Sequence, residues 1–163
     1  MQERKLMELA EAAGTIAIVG HVRPDGDCVG SCLAVCNYIT EQYPEKTVDV
    51  YLETPPVKFS YLKQFERICS DPETGKQYDL CICLDSGDRE RLGKNVVYLD
   101  TAKTSICIDH HITNQGYGAA NFVKADASAT CELLYDFLDE SQLFKGTVEK
   151  QDRSLMNVPF VTG

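Results

Sequence analysis

Short, almost continuously apolar runs alternate along this chain with segments whose apolar residues recur at helical spacing. TIAIVGH (15–21), DLCICLD (79–85) and TSICIDHH (104–111) read as strands buried on both faces. TVDVYLE (47–53) alternates as a strand does, and NVVYLD (95–100) reads as a further strand. Between them, Gln2 to Ala13 places Leu6, Leu9, Ala10 and Ala13 on one helical face, and Gly14 ends it. From Cys28, the positions Val29, Cys32, Leu33, Cys36 and Ile39 follow a helix that Pro44 closes. Val57 to Phe65 suggests a helix after the Pro55-Pro56 break, and residues 127–140 another, with Ser128 as its N-cap. This order predicts an α/β domain: a mostly parallel sheet with helices on both faces. In such folds the ligand crevice lies at the carboxyl ends of the strands.

The 163 residues suffice for one ordinary domain. A net charge of −9 argues against a protein that coats long nucleic acid through a basic face. It leaves room for a small anionic substrate held through metal ions, since a bound cation dominates its local field. No apolar run approaches the roughly 20 residues of a membrane span, and MQERKLMELAEAAG lacks an apolar signal core. The eight cysteines, at 28, 32, 36, 69, 81, 83, 107 and 131, mostly sit inside apolar runs with no C-x-x-C pair. That argues against a thiolate zinc site and for reduced, buried small hydrophobes, hence a cytoplasmic protein.

Three strand ends carry unusual chemistry: HVRPDGD after the first strand, D-S-G-D after the 79–85 strand, and DHH after the 104–109 strand. The three histidines of the chain, His21, His110 and His111, all fall there beside aspartates. Carboxylates and imidazoles converging on one crevice suit divalent cations such as Mn²⁺ or Mg²⁺. His21, Asp25, Asp27, Asp85 and His110 could hold two ions if Asp85 bridges them, the arrangement suited to phosphoester hydrolysis. In PDGD, Pro24 fixes one dihedral and Gly26 is expected to take an unusual one, so that Asp25 and Asp27 aim inward. Gly30-Ser31 is expected to bring a helix N-terminus close to the site.

HVRPDGDCVGS, CLDSGDRERLG, IDHHITNQGYG and DASATCELLYDFL, in this order, resemble four signature stretches of the DHH phosphoesterases. The resemblance is strongest to the branch of bifunctional oligoribonucleases and phosphoadenosine-phosphate phosphatases. It covers about residues 1–140 and implies a Mn²⁺-dependent hydrolase of short oligonucleotides or 3′-phosphoadenosine 5′-phosphate. Carried over residue by residue, it implies His21, Asp25, Asp27, Asp85 and His110 as metal ligands. Asp85 would be the bridging, catalytic carboxylate. His111 would face the scissile phosphate, Asp109 would orient His110 from behind, and Asn114 would lie near the substrate. Arg23 is a weaker candidate for substrate contact. Members often dimerise, so a second copy of the chain is an expected partner.

From about Asp139 onward the chain departs from this pattern. DESQLFKGTVEKQDRSLMNVPFVTG resembles part of the C-terminal domain of phosphoserine aminotransferase, without that enzyme's pyridoxal-binding region. The expectation is therefore a DHH domain over 1–140 and an unrelated or chimeric tail over 141–163. The family's late metal-binding Asp and its C-terminal substrate-binding domain would be missing, and activity would be weak or lost. The non-catalytic alternative is a metal- or nucleotide-binding module.

Overall fold

The computed structural model describes residues 2–73 and 75–140. Its strands are β1 (Thr15–Gly20), β2 (Thr47–Tyr51), β3 (Ile68–Cys69), β4 (Leu80–Leu84), β5 (Thr104–Asp109) and β6 (Ala120–Val123). They form one sheet in the order β3-β2-β1-β4-β5-β6, and every neighbouring pair is parallel. The helices are α1 (Gln2–Ala12), α2 (Gly26–Gln42), α3 (Val96–Thr101) and α4 (Thr130–Glu140). The expected α/β class and parallel sheet are thus present. The tail expected over 141–163 lies outside the described residues.

Alternation along each strand sorts side chains into two cores. Ile16, Ile18, Leu80, Ile82, Leu84, Ile106 and Ile108 meet the apolar faces of α1, α2 and α4. The other face carries smaller residues, Ala17, Val19, Cys81 and Cys83, against Tyr51, Tyr78 and Tyr98. Tyr51 stacks on Tyr98 with ring centroids 4.1 Å apart. The Tyr78 hydroxyl donates to Asp49 Oδ2 at 2.6 Å, which satisfies a polar group that burial would otherwise penalise. Seven of the cysteines are buried, Cys69 is half-buried, and all eight are free thiols. No helix among the described residues is long and apolar enough to cross a membrane.

Several elements differ from the sequence reading. NVVYLD is helical rather than extended: Tyr98 is buried and Val97 is 42% exposed, a division that one helical turn makes and a two-faced buried strand would not. Val57 to Phe65 forms two short 3₁₀ turns, Val57–Phe59 and Phe65–Arg67, rather than one helix. Its inward residues Phe59, Leu62 and Phe65 recur every three positions, the period of a 3₁₀ helix. Gln64 takes a left-handed conformation, φ 67°, before the second turn. β3 and β6 went unread because one spans two residues and the other is a half-buried edge strand.

Register positions the site. Gly20 pairs with Leu84, and Leu84 pairs with Ile108. The next residues, His21, Asp85 and Asp109, therefore emerge side by side at the carboxyl edge. Strand order reverses between β1 and β4, because the chain runs outward to β3 before returning to β4. Parallel α/β sheets bind ligands at such a reversal.

At the opposite edge, Asp79 ties β4 to β1. Its carboxylate receives Lys103 at 2.9 Å and the amides of Gly14 at 2.9 Å and Thr15 at 3.2 Å. Lys103 first, then the two amides, hold this carboxyl down at about 2. A folded value below the unfolded one, about 3.9, contributes stability that is full above about pH 4 and lost as pH falls through about 2. Asp79→Asn should therefore melt below the parent at neutral pH. In thermal unfolding followed by circular dichroism the difference should close between about pH 4 and pH 2. A difference that stays constant over that range would contradict the assignment.

Candidate metal centre

The loop from His21 to Asp27 wraps the end of β1. The left-handed residue is Arg23, φ 51°, not Gly26, which already belongs to α2. Asp25 is the N-cap of α2, and its Oδ1 accepts from the Cys28 amide at 3.0 Å. The helix consequently starts before Gly30-Ser31, and both of those residues lie buried within it. Asp25 stays largely exposed, yet its Oδ1 is 3.6 Å from His21 Nε2. His21 is buried, with Nδ1 held 2.6 Å from the Val22 carbonyl. That contact places the ring proton on Nδ1 and leaves Nε2 as the nitrogen able to ligate a cation.

Asp85 follows β4 with φ 58°, a conformation that costs a non-glycine residue about 1–3 kcal/mol and accumulates at functional sites. It is 2% exposed. Its two oxygens face different imidazoles: Oδ2 lies 3.5 Å from His21 Nε2, and Oδ1 lies 3.5 Å from His110 Nε2. Oδ1 also accepts the Thr130 hydroxyl at 3.0 Å. Burial, with the neighbouring Asp27 charge, pushes the Asp85 carboxyl up to about 6 against the opposing pull of His21. His21 moves up to about 11: burial resists its charge, but its bonds to Asp85 and Cys28 outweigh that resistance. The proton that Asp85 holds on the His21 ring occupies a place that a metal cation could take.

Asp27 occupies the other side. His110 Nε2 is 3.5 Å from its Oδ2. The same carboxylate accepts the first two amides of α4, Thr130 at 3.0 Å and Cys131 at 2.9 Å. Asp27 thus caps a helix that begins over a hundred residues later and satisfies two donors that no turn of α4 can reach. Ser128, the expected N-cap, pairs instead with the side chain of Glu132. His21, Asp25, Asp27, Asp85 and His110 are thus brought together, each within 3.6 Å of another member of the group.

The expected partner of Asp109 requires correction. Its Oδ1 is 2.6 Å from His111 Nδ1, so it orients His111, not His110. Asp109 is fully buried at the last position of β5, and the turn that follows brings His111 back over it. Asn114 is likewise spent inward rather than on a ligand. Its Nδ2 donates to Asp109 Oδ2 at 2.8 Å and to the Ser86 carbonyl at 3.2 Å, while its Oδ1 accepts from Gly116 at 2.7 Å. Arg23 is exposed at the rim, and its amide donates to Glu53 Oε1 at 3.0 Å. Arg89 is paired with Asp100 at 2.8 Å. Sequence reasoning missed Thr130. It lies in the DASAT stretch, but only folding shows that its hydroxyl reaches Asp85.

Two groups of donors among the described residues could hold a metal: His21, Cys28 and Asp85, and Asp85, His110 and His111. They share Asp85, and the histidine and carboxylate donors suit divalent cations.

The model of the DHH family, N-terminal domain, matches residues 15–158. A bifunctional oligoribonuclease and PAP phosphatase of Bacillus subtilis is 31% identical over 128 residues, which cover 78% of this chain and 39% of that protein. A phosphoserine aminotransferase of Lactiplantibacillus plantarum is 56% identical over 46 residues, 28% of this chain and 13% of that enzyme. Among solved structures, an exopolyphosphatase-related protein from Bacteroides fragilis superposes with a TM-score of 0.86 at 22% identity. It covers 99% of this chain and 49% of that one, and the likeness is one of fold. The chain spans well under half the length of the oligoribonuclease relative.

Asp85→Ala should weaken Mn²⁺ binding, measured by calorimetry, far more than Asp88→Ala. Asp85 faces both imidazoles, whereas the Asp88 carboxylate accepts only the Arg91 amide, at 2.9 Å, within a surface turn. Equal losses from the two changes would reverse the assignment.

Proposed function

The chain belongs to the DHH family, and from that premise we propose that it is a metal-dependent phosphoesterase acting on short oligonucleotides or 3′-phosphoadenosine 5′-phosphate. The observation that carries the reading is the placement of Asp85, with one oxygen toward His21 and the other toward His110. His21, Asp25 and Asp85 would hold one ion, and Asp27, Asp85 and His110 a second, Mn²⁺ or Mg²⁺. The donors fit: every one is an imidazole nitrogen or a carboxylate oxygen, and both imidazoles already turn Nε2 toward the carboxylates. Bound there, divalent ions supply Lewis acidity toward a phosphate and lower the pKa of water.

The chain's own residues do the rest. The Thr130 hydroxyl fixes the Asp85 carboxylate plane, so that neither oxygen can turn away from its imidazole. Asp109, itself anchored by Asn114, holds His111 by Nδ1 and turns Nε2 outward, where in the imidazolium form its N–H donates to the phosphate. Asn114 is therefore a positioning residue. Arg23 at the rim offers a charge to the rest of an anionic substrate. The Bacillus subtilis relative, an oligoribonuclease and PAP phosphatase, supports this substrate class.

The test is release of nucleotide from a short RNA and of inorganic phosphate from 3′-phosphoadenosine 5′-phosphate, with and without Mn²⁺. Hydrolysis should require the ion and disappear in Asp85→Asn. His111→Ala should lower kcat about a hundredfold, as loss of one donor to a developing oxyanion does, with Mn²⁺ affinity retained. Binding of Mn²⁺ and nucleotide with no turnover would contradict the proposal and identify a binding module instead.

A further inference from the structure

The two halves of the crevice differ in one respect that the phosphoesterase reading does not use. The half around His110 offers only nitrogen and oxygen donors, whereas the half around His21 also contains a sulfur. Ligand atoms of His21, Cys28 and Asp85 all lie within 4.8 Å of one another, and all three residues are buried. We propose that Cys28 is a further donor to the ion at His21 and Asp85, and that this half of the crevice selects a borderline ion such as Zn²⁺ or Co²⁺. The inference rests on the reading of His21 and Asp85 as ligands and adds sulfur to their set.

Geometry supports it from three sides. First, Cys28 sits in the opening turn of α2, one residue beyond Asp27, so the helix that aims Asp27 at His110 also brings the thiol beneath His21. Second, Gly20 makes room for it. A Cβ at Gly20 would lie 2.4 Å from Cys28 Sγ and 3.2 Å from Cys32 Sγ. Third, the thiol already lies against His21, with its Sγ 4.0 Å from the His21 carbonyl oxygen and the Cys32 thiol on its other side. Zinc bonds of about 2.0–2.3 Å put tetrahedral donors about 3.3–3.8 Å apart. His21 Nε2 and Asp85 Oδ2, at 3.5 Å, already meet that spacing. Cys28 Sγ, within 4.8 Å of both, completes the set, and the displaced thiol proton leaves to solvent. Thiolate shifts a site's preference away from Mg²⁺ and Mn²⁺ and toward Zn²⁺. The lack of any C-x-x-C pair excludes a conventional all-cysteine zinc site, but not a single sulfur brought in by the fold.

The full chain loaded with one equivalent of Co²⁺ should show a near-ultraviolet sulfur-to-cobalt charge-transfer band that Cys28→Ser abolishes and Cys107→Ser leaves. Competition calorimetry should give Cys28→Ser at least about a tenfold loss of Zn²⁺ affinity, the least that even an outer-shell partner is worth, with Mn²⁺ affinity unchanged. X-ray absorption on the Zn²⁺-loaded parent needs no variant and should show a sulfur shell near about 2.3 Å. Ions bound through nitrogen and oxygen alone, or a sulfur band that survives Cys28→Ser, would overturn this inference and leave the phosphoesterase site standing. A parent that binds neither Co²⁺ nor Mn²⁺ would overturn both.

Discussion

A carboxylate that is 2% exposed normally needs a cation or several strong hydrogen bonds to remain charged. Asp85 is such a group, and the surrounding structure is arranged around it. Parallel pairing of β1, β4 and β5 brings His21 and the start of the DHH turn to its two sides. The left-handed backbone at Asp85 turns the chain out of β4 at the sheet edge. The N-terminus of α4 brings the Thr130 hydroxyl onto one of its oxygens. Removing any of these supports would leave a buried charge less well compensated.

Asp27 couples the same site to the stability of a distant element. Its carboxylate caps α4, and α4 packs Leu133, Leu134 and Leu138 into the larger core. A helix cap contributes about 1 kcal/mol, so an ion bound at Asp27 would be linked to the docking of α4 through a single side chain. A cation drawing on the Asp27 oxygens would compete with the helix amides or share lone pairs with them. The crevice and the helix that closes its far wall are therefore one cooperative unit.

Much of this was legible in the sequence because the site is written at strand ends. HVRPDGD, D-S-G-D and DHH each follow an apolar run, and parallel register alone brings three such ends together. What was not legible was orientation. Two adjacent histidines follow Asp109, and a linear reading cannot say which ring folds back onto its carboxylate; the turn through Asn114 selects His111. Asn114 itself looked like a group for substrate, yet its amide is consumed by Asp109, Ser86 and Gly116. Thr130 and the capping role of Asp27 depend on contacts between residues far apart in the chain. NVVYLD misled because four apolar residues in a run of six are too few to separate a strand from two turns of helix, and the buried Tyr98 decides it in three dimensions.

The central claim is that Asp85 joins two ion sites, one at His21 and one at His110. Anomalous diffraction from crystals equilibrated with Mn²⁺ tests it most directly, since each ion would give its own peak. The account predicts two peaks, one bonded to His21 Nε2 and one to His110 Nε2, with an Asp85 oxygen coordinating each. A single peak, or peaks that leave Asp85 uncoordinated, would contradict it.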